Sequence, residues 1–420
     1  MKNLYGFLAA GMLALASCTL LMGCGNTIIP GGNGNDNNPR VALKLSPSQL
    51  EFVTEGNAFS MNFLDKVAAA ESKDFILSPL SMQFLLGMIL DGTAGQTAEE
   101  IATVLGYGKD QADAVNDYCL AMLQQLPVLD KKTRILIADA IYVDKGFDLK
   151  DQYKKTVVKY YDAAVSNLDF SDSQGSAEII NKWCSDHTEG LIPHILDETT
   201  PDMLCYLLNA LYFKGSWAEK FNKERTVNEK FTQANGYTAQ LPMMKTYKEF
   251  RYGEGTTFRA VRLPYGNGAY SMTVLLPKSG KKLTDVTAEL KTSDWKAVEK
   301  KMYLSEVDLW LPRFQVKFGI KLNDILSDLG MPSAFDPLRA DFSPMSVDAL
   351  CLSFVRQDAF IKVDEEGTEA AAVSSAGIIK NTSVGPSSYV VFHADQPFLY
   401  LITEADTGAV LFAGRYGNAE

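Results

Sequence analysis

Between two strand-like runs, Ala359–Val363 and Ser388–Phe392, lies the stretch that most restricts what this chain can become. A compact domain seldom leaves about twenty-five residues between strands without secondary structure, unless they carry function or stay disordered. The stretch opens Val363-Asp364-Glu365-Glu366-Gly367-Thr368-Glu369-Ala370-Ala371-Ala372-Val373-Ser374-Ser375. An acidic pair precedes a turn-permissive Gly, and small residues follow. Strand geometry puts alternate residues on one face. One set is then Thr368, Ala370, Ala372, Ser374 and Ala376, all small and uncharged. Such a face can slide between existing strands without overpacking a core. The opposite set, Glu369, Ala371, Val373, Ser375 and Gly377, can face solvent. The same residues also read as an Ala-rich helix start capped by Thr368, with Glu369 in its first turn. Taken alone, the segment leaves both readings open.

The chain around it predicts a mixed α+β domain. Residues 46–72 carry Phe59, Phe63, Leu64 and Val67 at helical spacing, and 82–90 continue as a largely apolar helix. Thr97 precedes a helical pattern that Gly106 closes, and 112–126 and 177–188 read as helices. Residues 134–143 form a strand pattern. Met203–Phe213 is nearly continuous in apolar residues, as expected of a central strand buried on both faces. Beyond Lys230 strands prevail, at 258–263, 270–276 and 307–311. Helices early and strands late fit one α+β domain. No internal repeat and no second linker divides it, although 420 residues could hold more than one domain.

Composition excludes several function classes. Apolar content of 46% suffices for a large core, and the net charge of -11 argues against nucleic acid, whose phosphates need a basic surface. Of six cysteines, two lie in the N-terminal region; Cys119, Cys184, Cys205 and Cys351 are widely spaced and form no CxxC pair. Buried free thiols are expected, with no zinc or dithiol redox site. The three histidines, His187, His194 and His393, accompany no nucleophile elbow, and there is no metalloprotease helix, P-loop or dinucleotide fingerprint. No metal, no cofactor and no catalytic residue is expected.

The N-terminus reads as a lipoprotein signal. Met1-Lys2-Asn3 precedes a short apolar run, Leu4–Ala16, too short to span a bilayer. Leu21-Met22-Gly23-Cys24 then matches a bacterial lipobox, with Cys24 as the lipidated residue. Leu15-Ala16-Ser17-Cys18 fits too, but cleavage there would leave Leu20-Leu21-Met22 near the mature start. The Gly/Asn-rich run from Gly31 to Asn38 cannot bury a core and reads as a tether. The expected organisation is signal peptide 1–23, tether 24–42 and one domain 43–420. The anchor would fix the protein to a bacterial cell envelope, at the outer membrane, facing periplasm or exterior.

Glu365-Glu366-Gly367-Thr368-Glu369-Ala370-Ala371-Ala372 resembles the hinge of the serpins, protease inhibitors that insert a loop into a sheet. Other serpin signatures occur in family order. They are Phe75–Ser81 with its Ser-Pro-x-Ser, Asn209–Trp217, Leu311-Pro312-Arg313-Phe314, Leu329-Gly330-Met331, Ala340-Asp341-Phe342-Ser343, Ala394–Ile402 and Leu411–Arg415. The resemblance covers residues 43–417. It implies helices packed around a large central mixed sheet, smaller sheets, and an exposed reactive loop.

It also implies a function. Counting as inhibitory members do, the scissile bond falls between Asn381 and Thr382; a loop one residue shorter places it after Lys380. Lys380 would suit a trypsin-like pocket and Ile379 an elastase-like one. The implied partners are serine endopeptidases of these two kinds, with cysteine proteases as further targets, met by a monomer that touches membrane only through its lipid. Ser78, Ser81 and Asn209 match a polar cluster that would bond across the place where the sheet parts, and Trp217 matches the Trp near its top. Gln357 stands where many members have His; Gln can also donate and accept. A non-inhibitory serpin with a binding or scaffold role is the alternative.

Overall fold

The structure, a computed structural model, describes residues 38–108, 110–201, 205–368 and 389–418. Residues 31–37 of the tether's Gly/Asn run, the signal segment with Cys18 and Cys24, and the loop residues 369–388 lie outside them. The described residues contain nine α-helices and fifteen strands. In chain order the first half holds α1 (Pro47–Ala70), β1 (Phe75–Leu77), α2 (Pro79–Asp91), α3 (Gly95–Leu105), α4 (Ala112–Gln125), β2 (Thr133–Asp144), α5 (Asp151–Tyr161), β3 (Ala164–Leu168), α6 (Ser173–His187) and β4 (Cys205–Ser216). The second half holds β5 (Val227–Thr232), β6 (Thr238–Glu254), β7 (Phe258–Tyr265), β8 (Tyr270–Pro277), α7 (Leu283–Lys291), α8 (Trp295–Lys301), β9 (Tyr303–Pro312), β10 (Phe314–Lys321), α9 (Asn323–Leu329), β11 (Arg356–Asp364), β12 (Gly367–Thr368), β13 (Val390–His393), β14 (Phe398–Glu404) and β15 (Val410–Tyr416). Helices dominate early and strands late, the α+β pattern expected.

Local chemistry explains the main boundaries. Pro47 opens α1 behind Ser46, whose hydroxyl accepts from Gln49 N while the Gln49 side chain accepts from Ser46 N. This reciprocal box satisfies two backbone donors at the helix start. Ser78 caps α2 in a similar way, accepting from Ser81 N, with Pro79 at the first helical position. α3 departs from expectation. It begins at Gly95, so Thr97 lies inside it, buried, with its hydroxyl accepting from Asp341 N. A contact from far along the chain claims the side chain that local reading assigned to the cap.

Two sheets organise the strands. One has nine, in the order β1-β15-β14-β8-β7-β6-β9-β13 with β5 paired to β6. The six-stranded central sheet runs β10-β11-β12-β4-β2-β3. β4 is buried on both faces. Leu207 and Phe213 join the main core with α1 and α2, while Tyr206, Leu208 and Ala210 pack against Phe170, Ile180, Trp183 and Cys184 at α6. That double burial is why its sequence is almost unbroken in apolar residues. Between β4 and β11 lies the short β12, which pairs with both.

Candidate functional site

The site lies at the end of the central sheet, where β11 turns into β12. Gly367 and Thr368 pair antiparallel with Asp364 and Val363 on one side and with Ser216 and Gly215 on the other. Gly367 allows this approach: a Cβ there would run into the backbone of Gly215 and Ser216. Only glycine lets two backbones come so near. Thr368 is 1% exposed, and its hydroxyl lies 2.5 Å from the Tyr265 hydroxyl. Tyr265 stacks on Trp217 with ring centroids 4.4 Å apart and 10° between planes. Trp217 in turn donates its indole N–H to Asp364 O at 2.8 Å. Trp217 therefore ties the strand entering the hinge to the strand receiving it.

The acidic pair is held by separate sets of partners. Glu365 is buried, and Arg313 reaches both of its oxygens, Nε to Oε1 at 2.7 Å and to Oε2 at 2.8 Å. Thr226 donates to Glu365 Oε1 at 2.5 Å. Glu366 takes Lys220 on Oε2 at 2.5 Å and Lys223 on Oε1 at 3.0 Å. The backbone is anchored as well, Phe221 N to Glu365 O at 3.0 Å and Trp217 N to Glu366 O at 2.9 Å. Burial pushes the Glu365 carboxyl up, but the Arg313 and Thr226 donors outweigh it and hold it below its ordinary value. The Lys220 contact lowers Glu366, against burial and with Lys223.

Both carboxyls thus bind protons more weakly in the fold than in the unfolded chain. Their stabilising effect is present above the ordinary value of 4.5 and is lost as the pH falls below it through the lowered values. We expect the hinge to loosen in acid before the core does. Hydrogen-exchange protection of the Trp217 and Phe221 amides should fall below pH 4.5 while that of the core strand β14 persists. Parallel loss at both places would mean that the acid pair does not govern the hinge.

The sequence-matched polar cluster is divided in two. Gln357 bonds Ser78 twice, accepting from Ser78 N and donating to Ser78 O, both at 2.9 Å. Ser78 Oγ donates to Leu411 O at 3.0 Å, and Ser81 enters only through its N–H to Ser78 Oγ. Asn209 turns the other way. Its Nδ2 donates to Asp139 Oδ1 at 2.7 Å, across the β4–β2 ladder where the two residues are directly opposed. Strand register decides this partner: Asp139 is the residue directly across from Asn209 on β2, within hydrogen-bond reach of its amide. Glu369 to Ala372, and Ile379, Lys380, Asn381 and Thr382, lie outside the described residues. Sequence reasoning gave no role to Arg313, Thr226, Lys220, Lys223, Tyr265 or Asp139. Arg313 stands inside a matched motif, and an acidic pair that becomes buried calls for cations; no local pattern pointed to the others.

Each of the three histidines has local partners. His187 packs tilted against Trp183, His194 lies on Asp197 and Asn181, and His393 stacks on Trp310 with Asp308 on Nε2. All four described cysteines are free, Cys119 and Cys184 buried, Cys205 and Cys351 partly so.

The family model for serpins, serine protease inhibitors, matches residues 54–419. The chain belongs to the serpin family. It is 32% identical over 364 residues to an uncharacterised serpin-like protein of Thermococcus kodakarensis, covering 86% of this chain and 84% of that one. It is also 32% identical to chicken neuroserpin, over 88% of this chain and 95% of the other. Among solved structures it resembles the thermophilic serpin tengpin in its native state, with a TM-score of 0.82 at 26% identity, covering 91% and 97% of the two chains. The insect serpin Serpin48 of Tenebrio molitor follows at TM-score 0.79 and 27% identity, over 90% and 100%. Serpins are in general protease inhibitors.

Proposed function

We propose that this serpin traps serine endopeptidases as covalent acyl complexes by inserting its cleaved loop into the central sheet. The observation that carries the reading is β12: Thr368 is already a strand residue bonded on both sides, to β11 and to β4. Continuing its register would set Ala370 opposite Phe213 and Ile361, and Ser374 opposite Asn209 and Gln357, all on the face that Thr368 occupies. Small residues at those places can enter without displacing the core; large or charged ones could not. A protease attacking the loop forms its acyl-enzyme, and cleavage frees the new end. About fifteen residues added as a strand move that end by roughly 50 Å. The attached protease travels with it, and its active site is distorted before water completes hydrolysis. The free energy comes from completing the sheet, as in other loop-insertion switches.

Lys380 directs trypsin-like enzymes and Ile379 elastase-like ones; cysteine proteases that form thioester intermediates are open to the same trap. Lys380→Ala should slow inhibition of a trypsin-like protease by about tenfold or more, or about 1.4 kcal/mol in the transition state. Inhibition of an elastase-like enzyme should change far less. Equal loss against both would mean general damage to the loop; no loss against the trypsin-like enzyme would move the scissile bond to Asn381–Thr382. Gels for complexes that survive denaturant decide the mechanism itself, and cleavage without such complexes would leave a binding or scaffold role.

The protein works, on this reading, as a monomer tethered to the cell envelope by lipid on Cys24. Among the described residues no helix is long and apolar enough to cross a membrane. Cys24→Ala should abolish lipid labelling and release the protein from membranes, whereas Cys18→Ala should not. The reverse result would make Cys18 the anchor.

A further inference from the structure

One carboxylic acid is buried in the central sheet without a cation. Asp139, on β2, is 1% exposed, and Asn209 faces it from β4. Asn209 Nδ2 donates to Asp139 Oδ1 at 2.7 Å. The other two polar atoms of the pair, Asp139 Oδ2 and Asn209 Oδ1, are buried and have no partner among the described residues. An ionised carboxylate oxygen and an amide oxygen are both acceptors, so neither can satisfy the other without a proton. An unmet buried acceptor is costly, and an unmet buried charge more so.

A single proton resolves both defects. Placed on Asp139 Oδ2, it makes the carboxyl a donor to Asn209 Oδ1 while Oδ1 goes on accepting from Nδ2. The result is a closed acid–amide ring with two parallel hydrogen bonds. We propose that Asp139 is carried in the fold as the neutral carboxylic acid, doubly bonded to Asn209, and that its ionisation loosens the β2–β4 side of the central sheet as the pH rises through neutrality. Asp139 acts here as a positioning residue, fixing the Asn209 amide on β4.

The surroundings agree. The titratable groups packed near the pair are Asp91 at the end of α2, Cys119 on α4 and Tyr161 on α5. These three are acids and cannot compensate a charge on Asp139, and Arg356, which lines a cleft with Asn209, is taken up by both carboxylate oxygens of Asp358. Tyr161 donates to Asn116, which donates to Asp91, so that network spends its protons elsewhere. Burial pushes Asp139 up to about 7 against the lowering effect of the Asn209 bond. Asn209 also lines a small cleft with Cys184, Leu208, Ala210, Arg356 and Asp358.

The sign follows from linkage. Between the ordinary value of 3.8 and about 7, the folded state holds a proton that the unfolded chain has released. Stability is therefore greatest on the acid side, falls as the pH rises through that window and levels off above it. The acidic hinge pair behaves oppositely and at lower pH, so the two effects separate. The inference concerns the sheet itself and stands whether or not the loop inserts.

The test is Asp139→Asn in the full chain. An amide has the shape of the neutral acid and can form the same two bonds with Asn209 at any pH. Unfolding rates in denaturant, measured from pH 5 to 8.5, should rise about tenfold or more for the wild type and much less for the variant. The infrared band of a protonated carboxyl should be present at pH 5.5 in the wild type and diminished in the variant. The swap Asp139→Asn with Asn209→Asp should restore both the slope and the band. Equal slopes in wild type and D139N, or an unchanged band, would overturn the proposal. So would failure of D139N to fold, because a neutral amide would then not replace the group. Asp91 is likewise pushed up to about 7 by burial, so D91N is the control: it should leave the difference between wild type and D139N in place. If D91N alone removed the slope, the titration would belong to Asp91.

Discussion

Thr368→Arg should turn this serpin from an inhibitor into a substrate. Thr368 is fully enclosed, with its hydroxyl on Tyr265 and its backbone between Gly215 and Val363. The surrounding wall is aromatic: Tyr265 stacks on Trp217 and meets Phe213 edge-on at 5.1 Å. Arg there would bury a cation without a carboxylate partner, a cost of several kcal/mol. The side chain must instead swing out and take the strand with it, at the first step of insertion. Cleavage of the loop should continue, because the hinge does not touch the protease active site. Complexes that resist denaturant should disappear, and the cleaved protein should no longer gain thermal stability. Thr368→Ser, which keeps the hydroxyl, should behave as wild type. Undiminished complex formation by Thr368→Arg would sink the insertion mechanism, whatever its effect on rate.

Trp217→Ala should be the most destabilising substitution at the top of the sheet, by about 3–5 kcal/mol for a buried aromatic cut to Ala. Trp217 is 3% exposed and serves three contacts at once. Its ring covers Tyr265, its indole N–H satisfies Asp364 O, and its backbone N–H satisfies Glu366 O. Deleting the side chain opens a cavity and strands a carbonyl. Trp217→Phe should cost less, keeping the stacked ring but leaving Asp364 O without its donor, worth about 1–3 kcal/mol. The variants should also differ in the hinge: Thr368 relies on Tyr265, and Tyr265 on Trp217, so both should increase proteolysis near Gly367. Denaturant unfolding followed with mapping of early cleavage sites measures the two effects together. Wild-type stability in Trp217→Ala would show that the stack adds nothing to the sheet.

How much of this was legible beforehand depends on whether the cause was local. Helix caps, the doubly buried β4 and the small-residue face after Gly367 are written in short windows, because the backbone hydrogen bonds and strand periodicity that select those residues act over a few positions. The order of the motifs identified the family, and with it the sheet that receives the loop. Partnership across the fold was another matter. Glu365 and Glu366 were legible as an acidic pair before Gly367, but not their partners Arg313, Thr226, Lys220 and Lys223, which the fold brings from elsewhere. Thr97 gave a helix start by local rule, and Asp341 took its hydroxyl. Asn209 was read as a link across the parting strands, and the register of β2 on β4 gave it Asp139. In each case the side chain had several admissible partners, and the choice was made by strand register and by which neighbours packing left within 3 Å. The sequence by itself determined which elements form and which face each must bury. Only the tertiary structure decided which buried polar atoms found partners, because that depends on distances between residues far apart in the chain.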